Sequence, residues 1–232
     1  MKPLEGKVAL ITGATGGLGT VVTEAFLAAG AKVAGAARSI PPNGIRHPEF
    51  VAIAVELSTA EAARKLAEDV VGRFGRIDAL VHVMGGFAGG KSVAETDDAT
   101  FEQMLQVNYR AAFYMVRAVL PGMRERGAGS ILAVASRQGV EPSPRVGSYS
   151  ASKAALVSLI RTVALENKDR SISANTVLPG TMDTPGNRAG DPHADRSQWV
   201  QPAQVAALLV HLATDAGAQI TGAAIPVYGR QL

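Results

Sequence analysis

Cysteine is absent from the 232 residues, which excludes disulfide staples and thiolate metal sites and fits a reducing, cytoplasmic setting. Long apolar runs are missing too. No stretch reaches the roughly 18 to 20 residues that a membrane-spanning helix needs, and no cleavage-type leader precedes the first apolar segment, so neither membrane insertion nor export is expected. An excess of one charge is also lacking: 23 Lys and Arg stand against 20 Asp and Glu, a formal balance of +3. The cations are scattered, with Arg124-Glu125-Arg126 the densest group, which argues against a nucleic-acid partner. His and carboxylates do not gather at ligand spacing, so no metal is expected. What is abundant is apolar side chain, 47% of the sequence against 19% charged, a balance suited to a sheet covered by helices on both faces.

Short runs rich in Val, Ile and Ala alternate with amphipathic stretches of helical length, the grammar of an α/β chain. The pattern predicts strands near 7–12, 32–37, 51–55, 78–83, 130–135, 172–177 and 224–227, and helices near 17–29, 59–74, 98–124, 150–167 and 201–214. Runs such as Ile131-Leu132-Ala133-Val134 are continuously apolar, which implies strands buried on both faces and paired in parallel. The expected architecture is a doubly wound, mostly parallel, seven-stranded sheet in one domain spanning residues 1–232. Ligands in such sheets bind outside the carboxyl ends of the strands. Pro41, Pro42, Gly44 and Pro48 leave no room for a helix between the second and third strands. Residues 179–200, with Pro179, Pro185 and Pro192, read as a substrate loop over the crevice.

After the first strand comes Thr12-Gly13-Ala14-Thr15-Gly16-Gly17-Leu18-Gly19, where glycines permit a tight turn, a close backbone approach to a ligand, and helix packing on the strand. The helix start that follows favours an anion. The second strand runs into Ala37-Arg38-Ser39, with no acid to accept bonds from a ribose 2′-hydroxyl. Arg38 offers a guanidinium for a 2′-phosphate, so NADP(H) is favoured, with NAD(H) still possible.

Further on, Tyr149 and Lys153 stand four residues apart in a helical segment and so share one face. A phenol releases its proton near pH 10, too high for neutral acid–base work. An ammonium about 4 Å away at an effective dielectric near 20 would favour the phenolate by about 4 kcal/mol, roughly three pKa units before desolvation opposes it. Tyr149 is then the candidate general acid or base. Ser136 closes the fifth strand, where its hydroxyl can hold a substrate oxygen, and Asn108 carries an amide suited to relaying a proton through water to Lys153. His82 lies in an apolar strand and reads as a hydrogen-bonded core residue rather than a base.

With these residues in order, the chain resembles the short-chain dehydrogenase/reductase family over nearly its whole length. The family pattern T-G-x-x-x-G-x-G matches Thr12 to Gly19, and its Ser, Tyr and Lys match Ser136, Tyr149 and Lys153, with Tyr thirteen positions after Ser. Val107-Asn108 matches a further segment, completing an Asn-Ser-Tyr-Lys catalytic set. The resemblance implies a Rossmann-like fold and a nicotinamide cofactor held by Gly13, Thr15, Gly16, Gly17, Leu18 and Gly19, by Arg38, Glu56, Leu57 and Gly85, and by Tyr149 and Lys153. Pro179-Gly180 is expected against the nicotinamide, with Thr184 bonding its carboxamide. A homo-dimer or homo-tetramer is implied, through the helices near 98–124 and 150–167. Two departures stand out: His82-Val83-Met84-Gly85 replaces the usual N-N-A-G, and Glu56 replaces the usual Asp.

For the substrate, Ser136, Tyr149 and Lys153 imply a small carbonyl or hydroxyl compound, with Phe87 and Trp199 as substrate contacts. The glycine loop around Phe87 and the segment Thr181 to Arg188 are similar to dihydropteridine reductases, which leaves pterin reduction as an alternative. Those enzymes usually carry an acid at position 37 and lack a serine at position 136. A cofactor-binding sensor or scaffold that performs no reaction is the third possibility.

Overall fold

The computed structural model describes residues 2–230. Seven strands, β1 Val8–Thr12, β2 Lys32–Ala37, β3 Phe50–Ala54, β4 Ala79–His82, β5 Gly129–Val134, β6 Ile172–Pro179 and β7 Ala224–Val227, form one sheet in the order β3-β2-β1-β4-β5-β6-β7. Every pairing is parallel, where the sequence pattern predicts mostly parallel. The continuous apolar runs explain this, because strands without a solvent-facing side require helices on both faces, and helical crossovers make neighbours parallel.

One face packs under α2 Ala60–Phe74, α4 Ala111–Arg126 and α5 Gly147–Asn167, with Leu10, Leu80 and Ile131 meeting Leu66, Met115 and Leu156. The other packs under α1 Gly17–Ala28 and α7 Pro202–Leu212, with Ile11, Val81 and Leu132 meeting Val22, Phe26 and Leu209. The chain order reverses at β1, which pairs with β2 on one side and β4 on the other. A crevice at the carboxyl ends of β1 and β4 follows.

Two expectations need correction. The predicted helix over 98–124 is three pieces, α3 Asp98–Leu105, a π turn Gln106–Arg110, and α4. An inserted residue leaves no mark on the apolar spacing, so the π turn was not visible in the sequence. Residues 179–200 are not a bare loop: they hold α6 Pro185–Gly190, and Met182 bridges Val200. Thr184 caps α6 by accepting a bond from the Asn187 N–H at 3.3 Å, with Pro185 at its first turn, a start signal that Thr184-Pro185 did carry. The β2–β3 link is free of helix, as expected.

Candidate active site

The turn after β1 is tied to β2 by the N–H groups of Gly13 and Ala14, which both donate to the Ala36 carbonyl, at 2.8 and 3.2 Å. Gly13 holds φ +71°, a conformation strained for other residues. A Cβ on Gly19 would stand 1.9 Å from the Gly13 carbonyl oxygen, so only glycine lets α1 start against the turn. Gly19→Ala is therefore expected to lower stability by about 2–3 kcal/mol through forced backbone shifts, seen as a lower midpoint in thermal or urea unfolding. An unchanged midpoint would contradict this packing.

Beside the turn lies a cleft of about 470 Å³ lined by Gly13, Thr15, Gly16, Gly17, Leu18 and Gly19 from the first crossover. Arg38, Glu56, Leu57 and Gly85 complete the predicted lining. Ser39, Ser58 and Gln106 also line it, and none was foreseen; Ser39 and Ser58 lie just past strand ends, where the topology itself directs attention. Gln106 donates to the Ser58 carbonyl at 3.0 Å and joins the end of α3 to the loop after β3. The cap residue Gly16 contributes no side-chain bond, so the first-turn N–H groups of α1 are left to other acceptors.

A second cavity, of about 1080 Å³, is lined by Phe87, Ser136, Tyr149, Pro179, Gly180 and Trp199, all foreseen, by Met182 and Asp191 of the segment read as a substrate loop, and by Arg137 and Glu141, which were not foreseen. The four-residue spacing of Arg137 and Glu141 was their one legible signal. Thr184 stands near the glycine turn, since a Cβ on Gly17 would come within 3.0 Å of the Thr184 Cβ.

The Ser136 hydroxyl lies near enough to the Tyr149 phenol to pull its pKa down, and Ser136 also accepts the Gln138 N–H at 3.2 Å. Lys153 is 4% exposed and donates from Nζ to the Val134 carbonyl at 3.0 Å, with Nζ 6.0 Å from the Tyr149 ring centroid. Burial pushes the Lys153 amine down to about 8. Burial likewise pushes the Tyr149 phenol above its ordinary value, only partly opposed by the nearby Ser136 hydroxyl. The expected acidification of Tyr149 by Lys153 is thus reversed in direction. A 4 Å pair in a half-wet medium omits the desolvation that both groups undergo here.

Asn108 is buried beside the glycine loop. Its Nδ2 donates to the Gly86 carbonyl and to Ser152 Oγ, both at 3.0 Å, and its Oδ1 accepts the Gly86 N–H at 2.9 Å. The amide clasps the glycine loop directly. Both groups still crowd one point: a Cβ on Gly85 would lie 2.9 Å from Asn108 Oδ1 and 3.0 Å from Lys153 Nζ. His82 is a core residue as expected, 1% exposed with Nδ1 2.9 Å from Thr12 Oγ1. Burial, then the charge of Lys153, pushes it down to about 3, so it stays neutral.

A family model described as short chain dehydrogenase matches residues 7–194. A short chain dehydrogenase of Pseudocercospora fijiensis is 34% identical over 189 residues, covering 78% of this chain and 61% of that protein. A short chain dehydrogenase of Penicillium brasilianum is 30% identical over 250 residues, covering 98% of this chain and 97% of that protein. The crystal structure of a 3-ketoacyl-(acyl-carrier-protein) reductase from Brucella melitensis, complexed with NADH, superposes with a TM-score of 0.89 at 28% identity, covering 99% of this chain and 100% of that one.

Proposed function

We propose, on the premise that the chain belongs to the short-chain dehydrogenase family, that it is a nicotinamide-dependent oxidoreductase in which Tyr149 moves the proton at the oxygen of a carbonyl or hydroxyl substrate. The observation that carries this is the placement of Ser136 and Tyr149 in the larger cavity, with Lys153 Nζ 6.0 Å from the Tyr149 ring and 3.0 Å from where a Cβ on Gly85 of the glycine-turn cleft would stand. The cleft suits a dinucleotide. Gly13, Gly17 and Gly19 form a cradle that any Cβ would crowd, and the start of α1 faces a diphosphate. Arg38 and Glu56 would take the adenosine end, and Pro179, Gly180 and Thr184 the nicotinamide end.

When bound, the cofactor supplies or accepts the hydride. The chain's own residues do the rest. Ser136 donates a hydrogen bond to the substrate oxygen and fixes it beside Tyr149. Tyr149 gives its proton to the developing alkoxide in reduction, or takes one from the alcohol in oxidation. Lys153, charged below about pH 8, favours negative charge building nearby. Asn108 and Ser152 brace the loop that positions Gly85.

Arg38 lines the cleft and carries no ion pair among the described residues, which supports NADP(H) over NAD(H). Arg38→Ala is expected to weaken NADPH binding by roughly 10- to 100-fold, the value of one or two charge-assisted bonds, while NADH changes little. Dissociation constants by fluorescence titration check this, and a wild-type protein that binds NADH more tightly would overturn the preference.

Phe87, with its ring 67% exposed and edge-on to Tyr149 at 5.0 Å, favours a second reading in which the carbonyl equivalent is a quinonoid dihydropterin. Exposed Phe113 and Leu165, on α4 and α5, support assembly into a homo-dimer or homo-tetramer through those helices.

A further inference from the structure

We infer that the larger cavity is built for an uncharged, ring-bearing carbonyl or alcohol and rejects anionic substrates such as acyl thioesters of coenzyme A. This rests on the reading of Ser136 and Tyr149 as the carbonyl end of the site and adds the class of compound that occupies the rest.

Size comes first. At about 1080 Å³ the cavity stands at the upper end of pockets that enclose drug-sized ligands, and with the nicotinamide end taking the part beside Pro179 and Gly180 it still leaves more room than an acyclic three- or four-carbon ketone fills. Its apolar lining is aromatic at two places, Phe87 and Trp199, with Met182 and Val146 also present. Phe87 is exposed but not loose. Its ring meets Tyr149 edge-on, a Cβ on Gly89 would stand 2.9 Å from both Phe87 Cζ and Val146 Cγ1, and the Gly90 N–H donates to the Arg145 carbonyl at 2.8 Å. A large aromatic face held open to water beside the reacting hydroxyl is a platform for a flat or cyclic apolar body.

Charge decides the rest. Arg137 is the one cation in the described lining, and it is already engaged: its Nε donates to Glu141 at 2.7 Å and its guanidinium carbon stands 4.7 Å over the Tyr228 ring. Glu141 and Asp191 both line the cavity, so its net charge is negative. Arg188 faces Asp183 at 2.6 and 2.8 Å and is likewise taken. An incoming carboxylate or phosphate finds no free cation and two like charges, an arrangement that works by repulsion.

Trp199 is the only tryptophan in the chain, so its emission reports occupancy of this cavity without any turnover. The probes are 1-decalone, a ring-carboxylated decalone and acetoacetyl-coenzyme A, each titrated in the presence of oxidised cofactor and then assayed with reduced cofactor. Expected is a saturable change in Trp199 emission with 1-decalone, and a kcat/KM for it roughly 100-fold above either anion. Phe87→Ala should raise KM for 1-decalone about tenfold with a smaller change in kcat. Glu141→Gln, which removes one of the two carboxylates of the lining, should raise kcat/KM for the carboxylated ring about tenfold. Equal or better turnover of either anion, or no response of Trp199 to the neutral ring, overturns the inference. A Trp199 response without turnover of any probe leaves the inference standing and sinks the oxidoreductase reading instead.

Discussion

Tyr149→Phe is expected to lower kcat about 1000-fold, within the range that a positioned proton donor contributes, while shifting cofactor affinity by less than about tenfold. The phenyl ring keeps the packing on Phe87, so what is lost is the hydroxyl alone. A circular-dichroism spectrum and unfolding midpoint close to wild type would tie the loss to chemistry. Unaltered turnover in this variant would favour the sensor or scaffold reading. The direction of the Tyr149 shift adds a signature in pH. Because burial holds the phenol above its ordinary value, it stays protonated through neutrality, the form that donates in carbonyl reduction. Alcohol oxidation needs the deprotonated form, so its rate should climb toward alkaline pH in wild type and lose that climb in Tyr149→Phe.

Most of the scaffold was legible because buried parallel strands write themselves as unbroken apolar runs. Ile131 to Val134 and Ala79 to Val81 are such runs, and each lies within a central strand. The glycine turn was legible for a steric reason, since the spacing of Gly13, Gly17 and Gly19 is dictated by contacts that a Cβ would violate. What escaped was whatever depends on neighbours distant in sequence. The π turn at Gln106–Arg110 accompanies the clasp between Asn108 and Gly86, a pairing across 22 positions that no local pattern encodes. The engagement of Arg137 by Glu141 was visible as a spacing, yet its meaning for substrate charge emerges only when Tyr228 stacks against Arg137 and Asp191 joins the same cavity. The Tyr149 shift was misjudged in sign because the helical spacing gives the proximity of Lys153 but not the depth at which both groups sit. Coulomb attraction had been given a magnitude, and the opposing loss of water only a direction.

That depth makes Lys153 a residue held against stability, and Lys153→Met separates the two. In the folded chain the amine is pushed down to about 8 by burial, from an ordinary value of 10.5. Between those values the unfolded chain binds a proton that the folded chain has released, so wild-type stability rises with pH across the window and the penalty is fully present below about pH 8. The penalty is on the order of 3 kcal/mol, offset in part by the bond from Nζ to the Val134 carbonyl, worth about 1 kcal/mol. Methionine fills much of the same volume without the charge, so at pH 7 the variant should be about 1–2 kcal/mol more stable than wild type. That advantage should shrink steadily as pH is raised from 8 toward 10. Turnover at pH 7, where wild-type Lys153 is charged, should fall about 1000-fold or more, since no cation remains to favour the negative charge that builds beside Tyr149. Urea unfolding at pH 7 and pH 9.5 measures the first effect and steady-state kinetics the second. A variant less stable at both pH values by the same amount would mean that Lys153 is a structural cation whose bond to β5 outweighs its burial, and the charge assigned to the site would have to come from elsewhere.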